Sequence, residues 1–168
     1  MKKISISKKE IIIYILTFII VLGGDQLTKY IVDQTLNFGT GYPIIKNFFY
    51  FTYVHNYGAA WGMLEGQRYF FYLVSVIAGI GLYYYFIKSL PYQKLTRFGL
   101  VLVFTGMIGN FIDRFVFGYV RDFIDFIIFG YNFPVFNIAD IAIVVGVGLL
   151  LLEIIIEEYE TWKLSKSQ

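Results

Sequence analysis

The chain of 168 residues contains no cysteine. This excludes a disulfide, a thiol nucleophile and a thiolate metal site. Histidine occurs once, at His55, so a zinc centre built from several histidines is excluded as well. Charge is scarce. Only 15% of residues are Asp, Glu, Lys or Arg, against about 25% in soluble domains, and 58% are hydrophobic, against about 45–50%. The medium implied is lipid, and the net charge of +2 gives no reason to expect a nucleic-acid partner. Internal repeats and low-complexity tracts are missing. The first 22 residues have the lysines and apolar run of a signal peptide, but they end in Gly23-Gly24 without an A-x-A cleavage site. Helical periodicity continues through Asp25, Lys29 and Ile31. The segment reads as a retained first span, and the length reads as one domain, residues 1–168.

What the chain does have is apolar length. Four runs, about residues 11–32, 69–87, 98–117 and 138–156, each approach the ~20 residues needed to cross a ~30 Å hydrocarbon core. The fold class expected is an all-α membrane protein, a bundle of four transmembrane helices. With the N-terminus inside, Lys2, Lys3, Lys8, Lys9, Lys88, Lys94, Arg97, Lys163 and Lys166 are cytoplasmic, and only Lys46, Arg68 and Arg121 lie outside. The basic-residue rule therefore predicts that both termini are cytoplasmic. Residues 48–54 are aromatic and β-branched, which predicts a short strand or hairpin lying on the outer membrane surface.

Polar residues within the apolar runs are costly, at ~2.5–3.5 kcal/mol for a charge near a helix centre. In this orientation they collect on the outer side. Asp25 lies about 21 Å along a helix from Ile11, at ~1.5 Å per residue, and Lys29 is one turn further. Asp25 and Lys29 share a helix face, as do Asn110, Asp113 and Arg114. Either set could simply lock the bundle. Arg114 could instead donate a bidentate bond to a substrate carbonyl.

Asp122, Asp125 and Asp140 have no adjacent lysine, and Arg121 can serve at most one or two of them. Asn137 falls where a helix N-cap belongs, with Asp140 three residues on, so a capping box is a sufficient account of Asp140 alone. The reading changes if Asp122 or Asp125 folds back onto it, which the turn formers Gly130 and Pro134 permit. Two carboxylates brought together in a water-poor pocket share one proton; one then acts as general base on water and the other as general acid on the leaving amine. The residues alone do not decide between Asp122 and Asp125. A serine mechanism with Ser75 and His55 is disfavoured, because Ser75 lies mid-span and lacks a glycine-framed elbow. A proton-coupled transporter would spread ionisable groups through the membrane depth, and a scaffold would leave the unpaired aspartates unexplained.

Five blocks, GDQLTK (24–29), VHNYGAAWGML (54–64), GNFIDR (109–114), VRDFID (120–125) and FNIADIAI (136–143), resemble in identity and order the signature blocks of lipoprotein signal peptidase, signal peptidase II. The resemblance implies a bacterial inner-membrane aspartyl peptidase with its active site near the outer leaflet and a small extracytoplasmic β-cradle formed by the first outer loop. It selects Asp122 and Asp140 as the catalytic pair. Asn56, Asn110, Asp113, Arg114 and Asn137 match polar residues around the site, and Asp25 and Lys29 match a pair on the first helix. The implied substrate is a prolipoprotein whose lipobox cysteine carries a diacylglyceryl group, cut on the amino side of that cysteine. Membrane lipid is the medium, no metal or other cofactor is implied, and the cyclic peptide globomycin is the expected inhibitor. The chain departs from the pattern at Arg121, where an apolar residue is expected. A cation there is expected to favour the ionised form of Asp122.

Overall fold

The structure, a computed structural model, describes residues 6–166, and among these the chain forms four long helices and one small antiparallel sheet. Helix α1 is Lys8–Thr35, α2 Arg68–Lys88, α3 Lys94–Phe117 and α4 Ile138–Lys166. All four are long and apolar enough to cross a membrane. Lys2 and Lys3, two of the lysines that bear on orientation, lie outside the described residues. Ser7 opens α1 with a reciprocal capping box, its hydroxyl accepting from the Glu10 amide while Glu10 accepts from the Ser7 amide.

Helix α4 is ten residues longer than the expected span. Its last three turns carry Glu157, Glu158, Glu160, Lys163 and Lys166, good helix formers that need no lipid contact to stay helical. The loops joining α1 to α2 and α3 to α4 leave the bundle at the same end. Strands β1 (Gly41–Ile45) and β2 (Phe49–Asn56) come from the first, β3 (Val120–Ile128) and β4 (Tyr131–Asn132) from the second. They pair in the order β1-β2-β3-β4. The residues around Asp122 and Asp125 do not by themselves choose a conformation, and the register explains why 120–128 are strand. Asn56 pairs with Val120, Val54 with Asp122 and Tyr50 with Asp125, so the backbone groups of residues 120–126 are satisfied by β2. Val32, Tyr53 and Phe123 form the small apolar core that ties α1 to this sheet.

The closest helix pair is α3 and α4. Gly99 and Gly146 face each other so tightly that a Cβ on either would sit 2.6–2.7 Å from the other's carbonyl oxygen. A Cβ on Gly106 would overlap the Ala139 carbonyl. Small residues that let backbones approach are how membrane helices associate, since lipid offers no hydrophobic drive between them. This contact fixes the start of α4 against the middle of α3.

One expectation about the polar groups needs correcting. They do not all collect at the sheet end. Arg97 is fully buried at the opposite end, where its Nε donates to the Ser89 hydroxyl (2.9 Å) and its Nη2 to the Ser89 carbonyl (3.0 Å). Buried Glu153 there accepts the Thr96 amide at 3.0 Å. An acidic side chain suits the first turn of α3, where helix amides have no partner within the helix. A reporter fused after Lys166 is expected to read as cytoplasmic and one inserted at Lys46 as external; the reverse pattern would overturn the orientation taken from the lysines.

Candidate active site

The site is built where α1, α3, the sheet and the start of α4 meet. Asn137 caps α4 as the sequence suggests. Its side-chain oxygen accepts the Asp140 amide (3.0 Å) and its own amide donates to Asp140 Oδ2 (3.1 Å). Asp25 of α1 accepts a further free amide of the same helix end, that of Ala139, at 2.9 Å. The cap thus holds Asp140 in place but leaves its Oδ1 free for Nδ2 of Asn110, at 2.7 Å.

Asp122 comes from β3, where successive side chains point to opposite faces. It is 2% exposed. Nδ2 of Asn137 donates to its Oδ1 (2.6 Å) and Nδ2 of Asn56 to its Oδ2 (2.9 Å). Asn137 therefore caps the helix that bears Asp140 and also donates to Asp122. Both aspartates line one cavity of about 600 Å³, together with Asn56, Asn110, Arg114 and Trp61. The cavity continues between α2 and α4 along Ser75, Ile141 and Val144, so a polar end opens into an apolar channel. Asp125, three residues from Asp122 on an extended strand, faces the other way and accepts from the Thr52 hydroxyl at 2.6 Å. Its partner is thus a side chain of β2 and not Arg121, the nearest cation in sequence.

Burial pushes the Asp122 carboxyl up to about 7, with the Asp140 charge adding to the rise; the bonds from Asn56 and Asn137 and the charge of Lys29 only partly offset this. The cation expected beside Asp122 makes no direct contact with it. Arg121 points to the opposite face of β3. There its Nη2 and Nε grip Asp113 at 2.8 and 3.1 Å, and its backbone amide adds a third bond at 2.9 Å. The Asp113–Arg114 pairing suggested by their adjacency is replaced by this one. Arg114 instead donates to the Gly58 carbonyl (2.9 Å) and lies over the Phe71 ring, at the cavity wall.

A group protonated at a higher pH in the folded state than in the unfolded one costs stability as pH rises between the two values. For Asp122 that window runs from 3.8 to about 7, worth up to roughly 4 kcal/mol above it. The thermal midpoint of the detergent-solubilised protein is therefore expected to fall more between pH 5 and pH 8 for the wild type than for Asp122→Asn. Parallel pH dependence of the two proteins would show that Asp122 is not a suppressed acid.

Asp25, Lys29 and Asn110 join the carboxylates to the bundle. Lys29, 0% exposed, is 2.9 Å from Asp25, 3.0 Å from Asn110 Oδ1 and 3.5 Å from Asp113. Two contributors were not singled out from sequence. Gln26 donates to Asp25 (3.0 Å), the Gly109 carbonyl (3.2 Å) and Asp113 (3.3 Å), and its position inside the GDQLTK block was the available signal. Trp61, with φ of 56°, lines the cavity and donates to the Tyr131 hydroxyl at 2.9 Å; its place inside the VHNYGAAWGML block was likewise the available signal. His55 stacks on Tyr119 at 3.8 Å, and its Nε2 has no hydrogen-bond partner among the described residues, so it is not serving as a base for Ser75.

Comparison with known proteins gives a consistent result. The sequence model of the family described as Signal peptidase (SPase) II matches residues 17–156. The lipoprotein signal peptidase of Bacillus subtilis (strain 168) is 43% identical over 145 residues, covering 86% of this chain and 94% of that protein. That of Staphylococcus aureus (strain Newman) is 43% identical over 143 residues, covering 85% and 86%. A solved structure described as a bacterial membrane enzyme superposes with a TM-score of 0.81 at 42% identity, over 86% of this chain and 88% of that one.

Proposed function

Because this chain belongs to the signal peptidase II family, and so is a multi-pass bacterial membrane endopeptidase of the aspartic class that processes lipoproteins, we propose that Asp122 and Asp140 are its catalytic pair. The observation that carries this reading is their convergence. Two carboxylates from distant parts of the chain line one cavity, with Asn137 bonded to both.

In this reading the pair holds one proton between them at working pH. The ionised member takes a proton from a water molecule, which attacks the carbonyl carbon of the scissile peptide bond. The protonated member stabilises the developing oxyanion and then protonates the departing amine. The C–N bond breaks, leaving a carboxyl-ended signal peptide and the free amino group of the lipobox cysteine. No covalent enzyme intermediate forms. Asn56, Asn110 and Asn137 hold the carboxylates at fixed angles, which removes a reorganisation cost from the step. Asp25, Lys29 and Asp113 hold α1 and α3 in place around them.

The substrate proposed is a prolipoprotein whose cysteine already carries a diacylglyceryl group. The apolar channel between α2 and α4 suits a signal helix or acyl chain, and the polar end meets the scissile bond. Arg114 stands at the wall where a substrate carbonyl would pass. In the orientation taken from the lysines, this end lies at the outer leaflet. Globomycin is expected to occupy the same cavity, with its hydroxyl between the two carboxylates as in a tetrahedral intermediate.

The test is incubation of the purified protein with a diacylglyceryl-modified lipobox peptide, read by mass spectrometry. Cleavage on the amino side of the lipidated cysteine is expected, and cleavage elsewhere, or none, would refute the substrate assignment. Activity is also expected to survive exhaustive chelation, since the chain has no cysteine and one histidine. Loss of turnover on chelation with recovery on added zinc would replace the aspartic mechanism by a metal-assisted one.

A further inference from the structure

Lys29 stands between two claims on its charge. On one side are Asp25 and Asn110, whose Nδ2 donates to Asp140; on the other, at 3.5 Å, is Asp113. An unbalanced Asp113 at that distance would draw the ammonium toward itself. It is not unbalanced, because Arg121 makes three hydrogen bonds to its two carboxylate oxygens. Arg121 is itself held, with Gln26 Oε1 accepting from its Nη2 at 3.2 Å and the Phe117 ring under its guanidinium. It is 4% exposed, so this pairing is poorly screened by solvent.

We propose that Arg121 is a positioning residue for peptide-bond cleavage: by neutralising Asp113 it leaves Lys29 directed at Asn110 and the carboxylate pair, and so sets the pH range in which the pair works. The proposal rests on the Asp122–Asp140 reading above. It assigns a role to the one position at which the sequence departs from the pattern of its signature blocks. The charged groups around the Asp122–Asp140 pair are Lys29 and Asp25 from α1 and Arg114 from α3, with the Asn56 and Asn137 amides bonded to Asp122 and the Asn110 and Asn137 amides to Asp140. Arg121 touches none of the reacting atoms. It acts through Asp113 and Lys29.

The direction follows from charge. Removing the Arg121 cation leaves Asp113 negative, adds net negative charge near the pair and pulls Lys29 away from Asn110. Each change disfavours the ionised carboxylate. The pH profile of cleavage by Arg121→Met is therefore expected to move upward, by roughly half a pH unit or more. Arg121→Lys keeps a cation beside Asp113 and is expected to move it less. The double variant Asp113→Asn/Arg121→Met removes both charges and is expected to bring the profile back toward wild type, whatever its absolute rate.

The experiment measures kcat/KM against pH for these proteins on the lipidated lipobox peptide, with Asp122→Asn in parallel. Arg121→Gln, which keeps a hydrogen bond to Asp113 without the charge, replaces the methionine variant if that one cannot be extracted folded. A lower rate with an unmoved profile would make Arg121 a purely structural tie and overturn the proposal. An active Asp122→Asn would overturn the carboxylate-pair reading instead, so the two failures are distinguishable.

Discussion

Asp122→Asn and Asp140→Asn are each expected to lose cleavage by roughly a thousandfold or more, with the protein still extracted folded and still binding substrate. Asparagine keeps the shape of aspartate but can neither take up the water proton nor donate one to the amine. Folding should survive because the asparagine oxygen still accepts one of the two bonds made to each carboxylate, and no buried charge is left unpaired. Asn56 and Asn137 donate to Asp122, and Asn110 and the Asn137 backbone donate to Asp140. Loss of either residue should cost nearly as much as loss of both, since one carboxylate alone cannot share a proton. Asp125→Asn supplies the contrast. Its carboxylate faces away from the cavity and accepts from Thr52, which an amide oxygen can do equally well, so activity within about tenfold of wild type is expected. Single-turnover cleavage of the lipidated peptide by the three variants, beside a binding measurement, decides the matter. An inactive, folded Asp125→Asn next to an active Asp122→Asn would transfer the acid–base role to Asp125.

The second large effect should come from one methyl group. Gly106→Ala places a Cβ on top of the Ala139 carbonyl and against Ile143, and the carbonyl cannot move without moving the first turn of α4. That turn carries Asp140, so stability and geometry fail together. Overpacking of this kind costs about 1–3 kcal/mol and more when the obstacle is backbone. Gly148, where a Cβ meets nothing within 4 Å, is the matched control in the neighbouring helix. Gly106→Ala is expected to lower both the thermal midpoint and the specific activity of the folded fraction, and Gly148→Ala to change neither appreciably. If the two variants behaved alike, the close approach of α3 and α4 would not be what positions Asp140.

How much of the site was legible depends on the kind of residue. Asn137 and Asp140 were readable as a cap because capping is local, three residues apart along one helix end. Asp25 and Lys29 were readable as a pair for the same reason, at one turn of helix. The partner of Asp113 was not. Adjacency suggested Arg114, but the grip comes from Arg121, eight residues on, after the chain has left α3 through Gly118, in a left-handed conformation, and entered β3. The residues alone left Asp122 and Asp125 equivalent and only the family resemblance chose between them; the physical reason, that they face opposite sides, appears once residues 120–128 are seen to be extended.

By itself, then, the sequence determined the medium, the number of spans and the family. Long apolar runs and a handful of ordered motifs are properties of contiguous residues. Tertiary structure alone decided which carboxylates share a cavity, which cation neutralises Asp113, and which glycines bring α3 and α4 together. Each of these depends on the register of β2 against β3 or on the spacing between two helix backbones. Such contacts join residues far apart in the chain, and no local propensity encodes their distance.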